Sequence, residues 1–133
     1  MKRLIFFALI SACSIASAAW ELINFDSNGK FFQLIDKSTI RKNGEIARIW
    51  LMTEYSSVQT DSAGRQYQSS KILYSFNCKN ETNSVVSIVE FSDAKAEGSV
   101  VYNGTRRDKD LEWDPNVPGS LAEGLWKIAC GKK

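Results

Sequence analysis

Two cysteines, Cys78 and Cys130, constrain what this chain can fold into more than any other feature. What they do depends on the compartment they meet, and that is written at the other end. Met1-Lys2-Arg3 is a short positive start, Leu4 to Ile10 is an uncharged apolar run, and Ala16-Ser17-Ala18 puts alanine at both positions a signal peptidase reads. This three-part layout is a secretory signal, and its apolar run is far below the roughly 18 residues that span a bilayer. The expectation is a signal peptide over 1–18, cleavage between Ala18 and Ala19, and one mature domain over 19–133 without a transmembrane segment. Ile10-Ser11-Ala12-Cys13 also has the form of a bacterial lipid-attachment motif. Against a lipid anchor at Cys13, the apolar run before it is short and no polar tether separates it from Trp20. Loss of the signal removes Cys13 and leaves an even pair, which in an exported protein reads as a disulfide.

The strand pattern is clearest just before the first of these cysteines. Ile72, Tyr74, Phe76 and Cys78 share one face while Lys71, Ser75 and Asn77 take the other, the alternation of a half-buried antiparallel strand. Further strands are expected at Glu21 to Phe25, Lys30 to Ile35, Ser38 to Arg41, Ile46 to Tyr55, Val85 to Phe91 and Ser99 to Tyr102, the last stopped by Asn103-Gly104. Ile46 to Tyr55 is apolar on both faces in part, which places it centrally, with Trp50 read as core. Near the end, Ser120 followed by Glu123 is a helix-start signature. Leu121, Ala122, Leu125, Trp126, Ile128 and Ala129 then fall on one helical face, with Cys130 at its edge and Gly131 as a stop. A helix this short is unstable alone, so it must lie on the sheet, and a Cys78–Cys130 bond would pin it there.

Charge and composition narrow the function classes. Removing Lys2 and Arg3 from 17 Lys+Arg leaves 15 against 15 Asp+Glu, so the mature chain is neutral overall, unlike a general nucleic-acid binder. There is no histidine, which removes the commonest general base and transition-metal ligand. The remaining cysteines are committed to a bond, no glycine-rich phosphate loop is present, and no residue set points to a cofactor or metal. The reading is therefore non-enzymatic.

Several local patterns occur together in one order: Phe32 to Ile40, Arg48-Ile49-Trp50-Leu51, Ser69-Ser70-Lys71 leading to Cys78, Trp113 with Pro118-Gly119-Ser120, and Cys130. This ordered set resembles the surface-adhesin protein E-like family of exported bacterial proteins, over roughly Trp20 to Cys130. The resemblance implies an α+β, mostly β fold: a single antiparallel sheet of about six strands with a disulfide-stapled C-terminal helix. It also implies adhesion, since the member that names the family is a surface adhesin for host extracellular-matrix proteins. The matching residues look structural, and none can be equated with a ligand contact.

Candidate contacts come instead from two polar segments without a strand pattern. Ser56 to Ser69 carries Arg65 and Tyr67, and Asn103 to Asn116 carries Arg106, Arg107 and Lys109. Arginine and tyrosine are enriched in binding hot spots, and long loops often carry function. Trp113 either packs its loop onto the helix or stands as a recognition aromatic. The favoured function is an adhesin-like module that binds a protein partner at the bacterial surface or outside the cell. A periplasmic structural or accessory protein of the envelope is the alternative, followed by a carrier of a small apolar ligand. An exposed edge strand leaves a homodimer open.

Overall fold

The computed structural model describes residues 19–133; the expected signal peptide, Ala18 and Cys13 lie outside them. Strands β1 (Glu21–Phe25), β2 (Phe31–Ile35), β3 (Arg41–Asn43), β4 (Ile46–Thr60), β5 (Gln66–Asn77), β6 (Thr82–Phe91), β7 (Val100–Thr105) and β8 (Asp114–Pro115) precede helix α1 (Leu121–Cys130). All pair antiparallel in one sheet, in the order β1-β2-β4-β5-β6-β7. Two short strands bring the number to eight: β3 pairs with β4, and β8 with β6. The expected sheet of about six strands is thus the main path, and β4 is central as its two apolar faces required.

One face of this sheet makes the core. Ala47, Ile49 and Leu51 alternate along β4, and in register across from the first two are Phe76 and Tyr74 of β5. Ile35, Ala47, Ile49, Leu51 and Phe76 are buried with Cys78 beneath Leu125, Trp126, Ala129 and Cys130 of α1. The helix begins where its signature placed it: Ser120 Oγ accepts from Glu123 N at 3.2 Å, and the Glu123 carboxylate accepts from Gly119 N at 3.1 Å. Gly131 ends it with φ +67°, while Lys132 N donates to Lys127 O and Gly131 N to Ile128 O, the paired bonds of a Schellman motif. Cys78 and Cys130 are joined, with Cα atoms 5.6 Å apart, so the end of β5 is tied to the end of α1.

Four expectations change. Ser38 to Arg41 is not a strand: a 3-10 turn spans Lys37–Thr39 and β3 starts at Arg41. The Asp36 carboxylate accepts from Ser38 N and Thr39 Oγ1 donates to Asp36 O, so local side-chain bonds out-compete pairing there. Ser56 to Ser69 is not a loop but a hairpin arm, because β4 runs to Thr60 and β5 starts at Gln66. Its alternation was invisible because an arm that covers little core needs no apolar face. Asn103-Gly104 does not stop β7, which runs on to Thr105. Trp50 is half-buried on the face opposite Ile49 and Leu51, outside the core cluster.

Candidate functional site

The hairpin arm is organised by Asp61. Its carboxylate accepts from Ala63 N at 2.8 Å, from Arg65 N at 2.9 Å and from Arg65 Nε at 2.6 Å. Those contacts, first of all the Arg65 backbone amide, hold the Asp61 carboxyl below the usual carboxylate range. The register between β4 and β5 shifts from Glu54 to Gln59, a bulge of the kind that bends a strand. The bent arm carries the Arg65 guanidinium to 4.0 Å above the Tyr102 ring on β7, although β6 lies between β5 and β7. The Tyr102 ring in turn lies across Gly104, where a Cβ would collide with it. Tyr67 packs edge-on against Tyr55, with ring centroids 5.7 Å apart, and burial pushes its hydroxyl pKa up. Glu90, opposite Tyr102 in the ladder, has a buried Oε2 without a hydrogen-bond partner among the described residues. Burial, then Asp61, raise its carboxyl above the usual range. Arg65 and Tyr67 are therefore engaged in holding the arm to the sheet.

The other candidates sit together on the segment after β7. Arg106 N donates to Val86 O at 2.8 Å, which anchors the start of the segment to β6. A 3-10 turn, Asp108–Asp110, follows. Arg107 Nε donates to Asp110 Oδ2 at 2.7 Å, and Arg106 Nη1 lies 3.8 Å from Glu112 Oε2. Lys109 is exposed and has no ion-pair partner among the described residues.

This segment stands between two clefts. One, of about 530 Å³, is bounded by Val85, Ile88, Tyr102, Thr105, Arg106 and Glu112, so Arg65 approaches it through Tyr102. The other, of about 410 Å³, is bounded by Arg41, Ile46, Arg48, Ser75, Asp108 and Trp113. It lies on the sheet face away from α1, because Ile46 and Arg48 alternate with the buried Ala47 and Ile49. Arg48 Nη2 donates to Asp108 Oδ1 at 2.7 Å, and Nε lies 3.5 Å from the Oγ of buried Ser75. Trp113 is 39% exposed and borders this cleft, so it stands as an available aromatic. Sequence reasoning missed the meeting of Arg41, Arg48 and Trp113. A signal for the first two existed: the two-residue turn at Gly44-Glu45 places Arg41 directly opposite Arg48. Trp113 arrives through tertiary structure alone.

Among the described residues there is no cluster of three or more metal-ligating side chains, and no helix long and apolar enough to cross a membrane. What the arrangement offers is cations beside an aromatic and apolar wall. That is binding chemistry, suited to a partner with negative charge and some apolar surface.

Comparison with known proteins bears on the whole domain. A family model described as surface-adhesin protein E matches residues 20–131. No curated protein matches the chain. Among solved structures the chain is similar to protein E of Haemophilus influenzae in its crystal form II, with TM-score 0.57 and 14% identity over 83% of this chain and 87% of that one. It is also similar to protein E of non-typeable Haemophilus influenzae, with TM-score 0.55 and 14% identity over 83% of this chain and 75% of that one. At such identity these likenesses speak to the fold.

Proposed function

The chain belongs to the surface-adhesin protein E family, and from that premise we propose that it is an exported, non-enzymatic binding module that recognises a protein partner at the bacterial surface or outside the cell. An extracellular-matrix protein is the first partner class to test. The mature form begins at Ala19, after removal of residues 1–18. The observation that carries the reading is the segment after β7, which sets Arg106 at the border of one cleft and Trp113 at the border of the other, with Lys109 exposed on the 3-10 turn between them. Arginine and tryptophan beside a cleft are the residues on which interface energy concentrates.

The test has two parts. Cells expressing the tagged full-length chain are fractionated and shaved with protease, and the purified mature protein is titrated onto immobilised matrix proteins. Surface display with saturable binding is expected, weakened about 30-fold by Trp113→Ala, the loss of a hot spot of about 2 kcal/mol. Confinement to the periplasm without saturable binding would refute the reading and favour an accessory role in the envelope. Self-association is part of the same proposal: β1 is an edge strand with Leu22 and Phe25 exposed at 54% and 61%, which supports pairing with a second copy. A concentration-independent monomer mass would dismiss it.

A further inference from the structure

We infer that the cleft between β3, β4 and the Asp108–Trp113 segment is a carboxylate-binding site that takes an acidic peptide segment of the partner, with Asp108 as its intramolecular competitor. This deepens the proposed function and names the chemistry of one part of that surface. Arg41 and Arg48 are directly opposite in the β3–β4 ladder, and both border the cleft. Like charges in that relation oppose strand pairing. Each arginine makes local bonds of its own, but only an anion between them turns the repulsion into affinity.

Asp108 supplies such an anion for one of the two. Its carboxylate meets Arg48 Nη2 at 2.7 Å, but its side chain is 82% exposed, and ion pairs so open to water hold weakly. Arg41 has no carboxylate partner among the described residues. Its Nη1 donates to Ser38 O at 2.8 Å and to Ile40 O at 2.9 Å. Those two bonds fix the guanidinium and leave its other nitrogens to bind a ligand. Arg48 rests on buried Ser75. The site is therefore preorganised for two carboxylate groups while the chain provides one.

The ligand class follows from what already borders the cleft. Asp108 belongs to an acidic peptide stretch, Asp108-Lys109-Asp110-Leu111-Glu112-Trp113, and Leu111 and Trp113 line the same cleft. An acid on Arg48 with an apolar side chain against Leu111 and Trp113 is thus compatible with a peptide, and about 410 Å³ accommodates a few side chains.

The experiment uses the mature, oxidised protein and a fluorescein-labelled synthetic peptide with the sequence of residues 108–113, followed by fluorescence anisotropy. A second peptide carries amides in place of its three acidic side chains. The acidic peptide is expected to bind and the amide peptide to bind at least 10-fold more weakly. Asp108→Asn is expected to tighten binding about 5-fold by freeing Arg48, while Arg48→Gln and the exposed-site Arg41→Gln each weaken it about 10-fold. Near-UV circular dichroism on each variant reports whether the domain remains folded, and Arg41→Gln carries the test if Arg48→Gln does not fold. Equal binding of the two peptides, or no tightening in Asp108→Asn, would overturn the inference. So would binding of a sulfated oligosaccharide in place of the peptide. Peptide binding with these variant effects in a protein confined to the periplasm would uphold the site while refuting surface adhesion. Matrix binding untouched by Arg48→Gln and Arg41→Gln would do the reverse.

Discussion

Opening the Cys78–Cys130 bond tests what closes this fold. The two cysteines are 52 residues apart, and confining the unfolded chain to a loop of that size corresponds to about 4 kcal/mol. For a domain of this length the loss corresponds to a fall in melting temperature of about 15 °C. Cys78→Ala/Cys130→Ala and the reduced wild-type protein should both show it in urea and thermal unfolding. Agreement between them within about 1 kcal/mol would assign the effect to chain entropy, because the reduced thiols keep their volume. Unfolding should stay cooperative, with near-UV and far-UV signals coincident, since Leu125 is fully buried and Trp126 and Ala129 join the same core as Ala47, Ile49 and Phe76. A stability loss below about 1 kcal/mol on reduction would refute the reasoning. So would a near-UV transition that precedes the far-UV one, for it would mean that α1 leaves the sheet as a separate unit.

Three further outcomes test the rest of the structure. Gly104→Ala should displace the Tyr102 ring and with it the seat of Arg65, destabilising the domain by about 1–2 kcal/mol, with hydrogen exchange at residues 56–66 faster than in the wild type; unchanged exchange there would contradict the role given to Tyr102. Arg41→Gln relieves the repulsion of Arg48 but loses the bonds to Ser38 O and Ile40 O, so its stability relative to the wild type should fall by about 0.2–1 kcal/mol from low to high ionic strength as screening removes the relief; a salt-independent difference would show that the facing arginines do not repel. For pH, the Asp36, Asp61 and Glu123 carboxyls lie below their ordinary range, Asp36 and Glu123 chiefly through hydrogen bonds to Ser38 and Lys127. Their contribution is present above the unfolded-state pKa and is lost as pH falls through the folded value. Glu90 is raised by burial, so its charged form opposes folding at neutral pH and its protonated form does not. Glu90→Gln should therefore raise the denaturation midpoint at pH 7 but not at pH 3, and an equal gain at both would refute the assignment.

The parts of this fold legible in the sequence are those whose signals are local. Ser120 with Glu123 and Gly131 marked both ends of α1, and the alternation from Ile72 to Cys78 marked the core strand and its covered face. The cysteine pair ties the two together. Less was legible where polar residues pair without a core beneath them. From Ser56 to Ser69 the backbone ladder and the Asp61 turn maintain the arm, and neither leaves a hydrophobic period. The candidate residues divide in the same way. Arg107 and Lys109 stand out on their segment as polar loop residues do, while Arg65 and Tyr67 are drawn inward by Tyr102 and Tyr55. The arginine cleft needed a register, and only the turn at Gly44-Glu45 carried that information.

The order of the chain gives the staple a temporal meaning. Four of the five contacts along the main sheet path, β1–β2, β4–β5, β5–β6 and β6–β7, join strands consecutive in sequence, so hairpin can follow hairpin as the polypeptide crosses the membrane. The lid on their shared apolar face ends at Cys130, 52 residues after Cys78. Until Cys130 emerges, a folding sheet presents Ile49, Leu51 and Phe76 to solvent beside an unspent thiol, the exposure that invites aggregation and wrong pairing. Oxidation thereby acts as a completion check, and a translocation intermediate stalled before Ser120 should be labelled at Cys78 by a thiol reagent that leaves the finished protein untouched.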